Sequence, residues 1–370
     1  MQPGRCLAGP VDRPQTVVVP PRLHRRFGLL AVVIACIACV ACVASVAACD
    51  ACDIRTPRER ALAAYVAAID PGAPVPAWTS SLQRLPPYPR RSVTLTRHTT
   101  DIAGFLGVQG CALGERIGER NSGLGRVMVG SQRWVHESAF LRDAEVCLPM
   151  MAAAQRAELQ IVIDEKRAEL PSVVWNAIWA GPEVQHLLAL SGHDLDPGAS
   201  GAAGPAADAL ATLRRLADDP LHVTSHELEG ALGGLRGDTV GGDVLRALEA
   251  LAHFLGAAAV RLETAASAPD CPRLRAVFER DYVGEIQPHI ARTHRAAATL
   301  LPVLRDLYDE TAARLPAALP ALAVYRAQLA PAGVWGDYEA ALARHTAAWQ
   351  VVGERCDFLP VAPPSPPAGP

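Results

Sequence analysis

The stretch VLRALEALAHFLGAAAVRLE, residues 244–263, carries the clearest structural signal in the chain. Apolar side chains recur in it at spacings of three and four residues. Since a helical turn takes 3.6 residues, this spacing places them on one face of an α-helix. The members of this stripe are Val244, Leu248, Leu251, Leu255, Ala258 and Leu262. The stretch therefore predicts a long helix with one face in a core.

The composition of the whole chain points to the same fold class. Of its 370 residues, 50% are apolar and only 5% are aromatic. Alanine, leucine, arginine and glutamate favour helix, whereas the β-branched and aromatic residues that favour strands are sparse. We therefore expect an all-α fold, an irregular multi-helix bundle of about ten helices.

Two further segments carry helix signals of their own. TPRE (residues 56–59) has the residues of a capping box, and it predicts a helix that ends at Ile69. Residues 273–307 form a long helical pattern that contains Pro288 and Pro302. We therefore expect long C-terminal helices that are kinked or divided at these prolines.

Other segments are expected to interrupt the helices. The Pro-rich residues 71–91 predict an extended connector. SVTLT (residues 92–96) alternates like a short strand but is too isolated to define a sheet. Residues 193–208 and 233–243 are rich in glycine and predict surface loops. Separate helices are expected at roughly 151–169, 172–180 and 182–191.

The domain boundaries follow from these patterns. Residues 49–360 are expected to form a single all-α domain that includes the connector at 71–91. Residues 361–370 are Pro-rich, a composition typical of a disordered tail. Residues 1–48 differ from the rest of the chain in their composition and are considered separately.

The first 48 residues have the pattern of an export signal. A basic patch that includes Arg25 and Arg26 precedes residues 27–48, which carry no charge. This run leads into VAAC (residues 46–49), which resembles the lipobox of bacterial lipoproteins, where small residues precede a cysteine that is acylated. We therefore expect residues 1–48 to be a lipoprotein-type signal peptide. Acyl chains on Cys49 would then hold a periplasm-facing protein on a lipid bilayer.

Several points about this N-terminus stay open. The apolar run is about as long as the roughly 20 residues of a spanning helix, so an uncleaved anchor is an alternative. Translation from a non-ATG codon near residues 17–23 is another. Cys36, Cys39 and Cys42 also follow small residues. Asp50 resembles a signal that retains lipoproteins in the inner membrane, but the sequence does not decide between the inner and the outer membrane.

The net charge argues against polyanionic partners. The whole chain carries −3, and residues 1–48 contain five arginines and one acid, so the remainder carries −7. Lys166 is the single lysine. An acidic chain without a basic block is a poor candidate for binding nucleic acid, or for binding anionic lipid beyond the anchor.

The cysteines that remain after residue 49 fit an oxidising compartment. They are Cys52, Cys111, Cys147, Cys271 and Cys356. We favour the pairs Cys111–Cys147 and Cys271–Cys356, because cysteines that are neighbours in sequence often close local units. The two other connectivities of these four cysteines and buried free thiols remain alternatives. No CxxC pair occurs after residue 49, and no metal or cofactor is expected.

The most polar candidate site is IGERNSGLGRVMVGSQRWVHES, residues 117–138, which we call the polar stretch. Its candidate binding residues are Glu119, Arg120, Asn121, Ser122, Arg126, Gln132 and Glu137. Asparagine, serine and glycine are typical of helix ends, so one interpretation is a joint between two helices. The other is a cleft in which Glu119, Arg120 and Asn121 meet a ligand, with the Arg120 guanidinium binding a carboxylate or phosphate. A catalytic pair of Glu119 and Glu137 is also left open.

The block ERNSGLGRVM (residues 119–128) resembles the signature of a family of uncharacterised bacterial envelope lipoproteins, domain of unknown function 3080. The likeness continues through WNAIW at Trp175, IQPHIARTHR at Ile286 and HTAAWQ at His345. It covers roughly residues 49–360 and implies a lipidated Cys49 and a single domain. The family implies no activity, so no catalytic residue is assigned. Gly123 stands where the family signature is expected to have a second serine.

Two classes of function remain after these observations. The first is a membrane-anchored binding or scaffold module that docks an envelope protein through a helical face. The second is a hydrolase-like envelope enzyme that uses the cluster around Glu119, Arg120 and Asn121, together with residues such as His289 or His345. The sequence contains no GxSxG, GxxxxGK[ST] or HExxH motif. Because no motif identifies a catalytic nucleophile or a set of metal ligands, the binding or scaffold module is favoured.

Overall fold

The computed structural model describes residues 56–96, 110–191, 195, 197–236 and 239–359. In these residues it contains helices and no β-strand. The expected all-α bundle with long, kinked C-terminal helices is therefore confirmed. The predicted signal peptide, the predicted lipidation site Cys49 and the predicted tail at 361–370 lie outside the described residues.

Nine of the α-helices in the described residues are at least ten residues long. The α-helices of these residues are α1 Pro57–Ile69, α2 Tyr88–Arg91, α3 Ala112–Asn121, α4 Gly130–Cys147, α5 Ala153–Ile178, α6 Pro182–Leu187, α7 Pro197–Asp218, α8 Ser225–Gly234, α9 Val240–Ala265, α10 Cys271–Val277, α11 Gln287–Ala313, α12 Ala323–Leu329 and α13 Gly336–Arg355. None of them combines the length and the apolar character that crossing a membrane requires.

Helix α9 lies at the centre of the fold. It packs against α1, α11 and α13, and all six residues of the stripe predicted from the sequence are fully buried. Burying a leucine side chain stabilises a fold by about 2 kcal/mol, so this face supplies a large part of the core. Near its start, a Cβ at Gly242 would lie 2.6 Å from the carbonyl carbon of Ala189. Only glycine fits there, which lets α9 begin in close contact with the segment after α6.

Two arginines of α9 hold the two ends of α1. At the start of α1, Glu59 closes the predicted capping box with Thr56 and accepts an N–H from Arg246 at 2.7 Å. At the other end, the buried guanidinium of Arg261 donates to four backbone carbonyls between residues 66 and 74. The last carbonyls of a helix have no partner within the helix, so this arginine acts as a cap.

The Pro-rich connector at 71–91 is held against the helices that surround it. Arg91 is only 1% exposed and donates to the carbonyl of Trp179 at 2.8 Å. The indole N–H of Trp175 donates to the carbonyl of Arg91, also at 2.8 Å. The side chain of Glu249 on α9 accepts from the hydroxyl of Ser80. The connector therefore has fixed partners although most of it forms no regular structure.

The predicted strand at 92–96 is wrong, because these residues form no strand. Val93 donates its N–H to the side-chain oxygen of Asn176, and the amide nitrogen of Asn176 donates to the carbonyl of Val93, each at 2.8 Å. The side-chain amide of Asn176 thus occupies the N–H and the carbonyl of Val93, and the N–H of Thr96 donates to Glu169.

The break expected near residue 181 does separate α5 from α6, but the other predicted breaks in the middle of the chain are wrong or shorter than expected. Helix α5 runs through Pro171, where separate helices were expected. The flanking side chains of Leu170 and Val173 are buried, and this packing offsets the bond that a proline cannot make. Helix α7 covers most of the loop predicted at 193–208, because alanine is the best helix former and several alanines of this helix are buried. The loop predicted at 233–243 is shorter than expected, because α8 extends to Gly234 and α9 begins at Val240.

The C-terminal pattern forms α10, a π-helix at Phe278–Ile286 and α11 without a break. The π-helix ends two residues before Pro288. Its wider turn fits a proline whose ring would clash with the carbonyl four residues earlier. Pro302 lies inside α11, which continues past it.

Two disulfides cross-link the fold. Cys111, directly before α3, is bonded to Cys147 at the end of α4. Cys271, at the start of α10, is bonded to Cys356, directly after α13. These are the pairs that the sequence analysis favoured. Cys52 lies outside the described residues.

Candidate functional site

The polar stretch forms a closed turn between α3 and α4. The hydroxyl of Ser122 donates to the carbonyl of Glu119 at 2.7 Å and accepts the N–H of Gly125 at 3.0 Å. The guanidinium of Arg120 donates to the carbonyl of Gly125. A Cβ at Gly125 would overlap the carbonyl oxygen of Glu119 and lie 2.6 Å from that of Arg120. Serine, arginine and glycine together therefore close this turn, and a larger residue at 125 does not fit.

The remaining exposed residues of the cluster have separate surroundings. Glu119 pairs with Arg116 at 3.0 Å, and Gln132 accepts the N–H of Val129 at 3.3 Å, which caps the start of α4. The side chains of Asn121 and Arg126 are exposed and form no hydrogen bond or ion pair with the described residues. These four side chains therefore do not converge on one point.

Glu137 differs from the rest of the cluster because it is buried. Its carboxylate lies 2.5 Å from the ammonium of Lys166 on α5 and 3.6 Å from Arg133. Burial alone raises the pKa of Glu137, but Lys166, His136 and Arg133 outweigh it, so the pKa lies below its ordinary value. Lys166 also lies 4.7 Å above the ring of Phe140. Glu137 is thus an ionised link between α4 and α5.

The two carboxylates that the sequence left open as a catalytic pair have different partners. Glu119 is exposed and paired with Arg116, whereas Glu137 is buried and paired with Lys166. The side chains of Arg120 and Ser122 bind backbone groups of the turn. These contacts account for the polar residues as parts of a helix joint, which is the first of the two interpretations.

A second polar group lies in the core around His345, and its partners Tyr65 and Trp349 were not expected. The indole N–H of Trp349 donates to the hydroxyl oxygen of Tyr65 at 2.6 Å, and this hydroxyl lies 2.6 Å from Nε2 of His345. Burial lowers the pKa of His345 to about 4, so its imidazole is neutral at pH 7. Burial also raises the pKa of the Tyr65 hydroxyl. The only sequence signal is the four-residue spacing of His345 and Trp349, which puts both on one helix face.

A small polar cavity lies at the start of α1. Glu59, Arg246, Asp243 and His289 are among its lining residues, and its volume is about 20 Å³. Such a volume holds about one water molecule. The cavity is therefore too small for a substrate.

A mostly apolar surface cavity lies beside Pro171, and we call it the Pro171 groove. Its volume is about 250 Å³. Its lining residues are Arg167, Leu170, Pro171, Val174, Ala217, Asp219, Pro220, Leu221, Thr311 and Arg314. Cavities of about 320 Å³ and 400 Å³ lie beside α12 and between α9 and α13. Ion pairs such as Arg326–Asp309 and Arg344–Glu263 lie on their rims.

None of these four cavities is lined by a residue of the polar stretch. Within the described ranges, no group of three or more histidine, cysteine, aspartate or glutamate residues is placed to hold a metal ion.

The fold and the turn together define an all-α domain that is built around a central helix and carries a closed polar joint. The chain belongs to the family described as Protein of unknown function (DUF3080), whose match spans residues 65–360. The resemblance drawn from ERNSGLGRVM and the later segments is thereby confirmed at the level of the family. Comparisons with curated proteins and with solved structures find no match.

Proposed function

We propose that the chain is an exported lipoprotein of the bacterial cell envelope. Residues 1–48 serve as its signal peptide, and acylated Cys49 anchors it to a lipid bilayer. The all-α domain faces the periplasm and works as a binding or scaffold module for an envelope protein.

The observation that carries the export proposal is the pair of disulfides in the domain. Structural disulfides persist in oxidising compartments such as the bacterial periplasm and are rare in the cytosol. The VAAC sequence at 46–49 supplies the anchor. Two or three acyl chains give a stable attachment, since each buried CH₂ contributes about 0.8 kcal/mol.

The anchor is tested by labelling cells with radioactive palmitate. The unmodified protein should incorporate the label, and Cys49→Ala should abolish incorporation. Cys52→Ala, changed three residues further on, is the matched control and should keep the label. Incorporation of palmitate into the Cys49→Ala protein would contradict the assignment.

The Pro171 groove supports a binding module. Pockets for small molecules usually measure roughly 300–1,000 Å³, so a mostly apolar groove of about 250 Å³ fits one large apolar side chain better than a whole ligand. Buried apolar anchors of this kind contribute much of the affinity at protein interfaces. An envelope protein that inserts one apolar side chain is the partner proposed for this groove.

The partner is tested by placing a photoreactive phenylalanine in the groove. Asp219 lines the groove and is exposed, so its replacement should leave the fold intact. Irradiated cells should yield one defined adduct with an envelope protein from position 219. The control is Ala327, an exposed residue of another cavity, which should yield none. Equal adducts from both positions, or no adduct from 219, would contradict the proposal.

A further inference from the structure

The turn between α3 and α4 exposes three large apolar side chains. Leu124 is 84% exposed, the highest value for a large apolar side chain in the described residues, and Val127 and Val129 are 72% and 58% exposed. These three residues, which we call the apolar tip, lie within six positions of each other. Single exposed apolar residues are common on protein surfaces, but a cluster of them marks an interaction site.

The apolar tip is held in place by the turn that carries it. Arg120 and Ser122 bind backbone groups on both sides of Leu124, and Gly125 packs against the end of α3. Behind the tip, a Cβ at Gly130 would lie 3.0 Å from the Cα of Ala177, so the start of α4 is in close contact with α5. The exposure of the tip therefore belongs to a built turn with fixed neighbours.

Arg120 and Arg126, the two arginines of the turn that carries the apolar tip, have no carboxylate partner among the described residues. Residues 120–136 contain Arg120, Arg126 and Arg133 and no acid. Arg120 binds a neutral carbonyl, so its charge is not compensated, and Arg126 forms no ion pair with the described residues. The flanking carboxylate of Glu119 pairs with Arg116, and that of Glu137 pairs with Lys166 and Arg133. Glu229 accepts from the hydroxyl of Ser131 at 2.6 Å.

We propose that the apolar tip docks on the anionic surface of the bilayer. Leu124, Val127 and Val129 enter the boundary between headgroups and acyl chains, and Arg126 and Arg120 bind lipid phosphates. Arginine and apolar residues side by side suit this boundary, where the guanidinium stays with the headgroups and the apolar side chain lies below it. The inference rests on the proposed anchor. It departs from the expectation that an acidic chain avoids anionic lipid, because Arg120 and Arg126 have no carboxylate partner among the described residues.

A second contact would give the anchored domain a fixed orientation. Cys49 lies seven residues before Thr56, and an extended chain of that length reaches at most about 25 Å. Such a tether keeps a domain close to the bilayer without deciding which face it turns to the lipid. Docking of the apolar tip selects one face.

The test uses the full-length, anchored protein with a photoreactive phenylalanine at position 124. The protein is reconstituted into vesicles of phosphatidylethanolamine with phosphatidylglycerol, or of phosphatidylcholine alone. Position 324 is the matched control, because Val324 is also apolar and is 62% exposed. Lipid adducts should form at 124 in the anionic vesicles, less in the neutral ones, and only at background level at 324. Arg126→Glu should lower the adduct at 124 at least fivefold, since one basic residue near an anionic surface contributes roughly that factor.

Three outcomes would overturn the inference. They are no lipid adduct at 124, equal lipid adducts at 124 and 324, or, in irradiated cells, an adduct at 124 with a protein alone. Palmitate incorporation is measured in the same samples. A labelled protein without a lipid adduct at 124 overturns the docking of the tip and leaves the anchor intact. A protein that lacks the label overturns the anchor.

Discussion

In the turn between α3 and α4, Ser122 binds backbone groups three residues away on either side. In the centre of the domain, Tyr65 binds His345, 280 residues further along the chain, and Arg261 of α9 binds the carbonyl of Val66 across 195 residues. In both regions, side chains form hydrogen bonds with polar groups that would otherwise have no partner. The turn does so with its own residues, whereas the centre needs the complete fold.

The difference affects how the two regions should respond to substitution. A turn closed by its own residues depends little on the rest of the domain, so the loss of one contact has a bounded cost. A buried group held by distant elements leaves several polar atoms without partners when it is removed. Long-range contacts at the centre should therefore dominate the stability of the domain.

The largest effect is expected at Arg261. Arg261→Met keeps much of the apolar stem but removes a guanidinium that binds four backbone carbonyls at the end of α1. We expect a loss of about 3–5 kcal/mol in the free energy of unfolding, measured by urea denaturation. Arg344→Met removes an exposed pair with Glu263 and should leave the denaturation midpoint unchanged. Equal midpoints for the two variants would contradict the claim that long-range contacts dominate the stability of the domain.

The second effect is a pH dependence that comes from the centre. Because burial lowers the pKa of His345 to about 4 from an ordinary value near 6.5, the unfolded chain binds more protons between these values. Stability should therefore fall as the pH falls from about 6.5 towards 4, by up to about 1.4 kcal/mol per pH unit. His345→Gln should be less stable at pH 7 and should show a flatter dependence in this window, measured by urea denaturation at several pH values. Parallel pH profiles would contradict the role of His345.

A smaller effect is expected in the turn. Gly125→Ala places a Cβ against the carbonyls of Glu119 and Arg120, and we expect a loss of about 2 kcal/mol in the free energy of unfolding. At Gly123 a Cβ would meet no atom within 4 Å, so Gly123→Ala is the matched control and should be neutral or slightly stabilising. If the two variants were equally stable, the close packing at Gly125 would be refuted.

The smallest effect is expected at Glu119. Its carboxylate is about half exposed and pairs only with Arg116, which also binds Asp143. Glu119→Gln should change the free energy of unfolding by at most about 0.5 kcal/mol. A larger loss, measured by the same urea denaturation, would show that this carboxylate has a role beyond the exposed pair.

The same distinction explains what could be predicted from the sequence. The stripe of α9, the capping box of Thr56 and Glu59 and the helix-end chemistry of Ser122 all depend on spacings of three or four residues, and the structure has each of them. Repeating spacings of this kind are visible in a single sequence.

The errors and omissions depend on long-range packing. Pro171 was expected to end a helix, but the burial of its neighbours keeps α5 intact. Residues 92–96 looked like a strand, but their partner is the side chain of Asn176. The contact of His345 with Tyr65 and the shape of the Pro171 groove combine distant segments, and no local pattern predicts such combinations.

Because the chain has a single lysine, Lys166, contact between α4 and α5 can be followed by chemical modification of one residue. Amine-directed acylating reagents modify only an unpaired, accessible amine. The side chain of Lys166 is 11% exposed and lies against Glu137. Acylation of this side chain should therefore proceed only when α4 and α5 separate. The rate of acylation at one residue would then report how often this contact opens in an otherwise native protein.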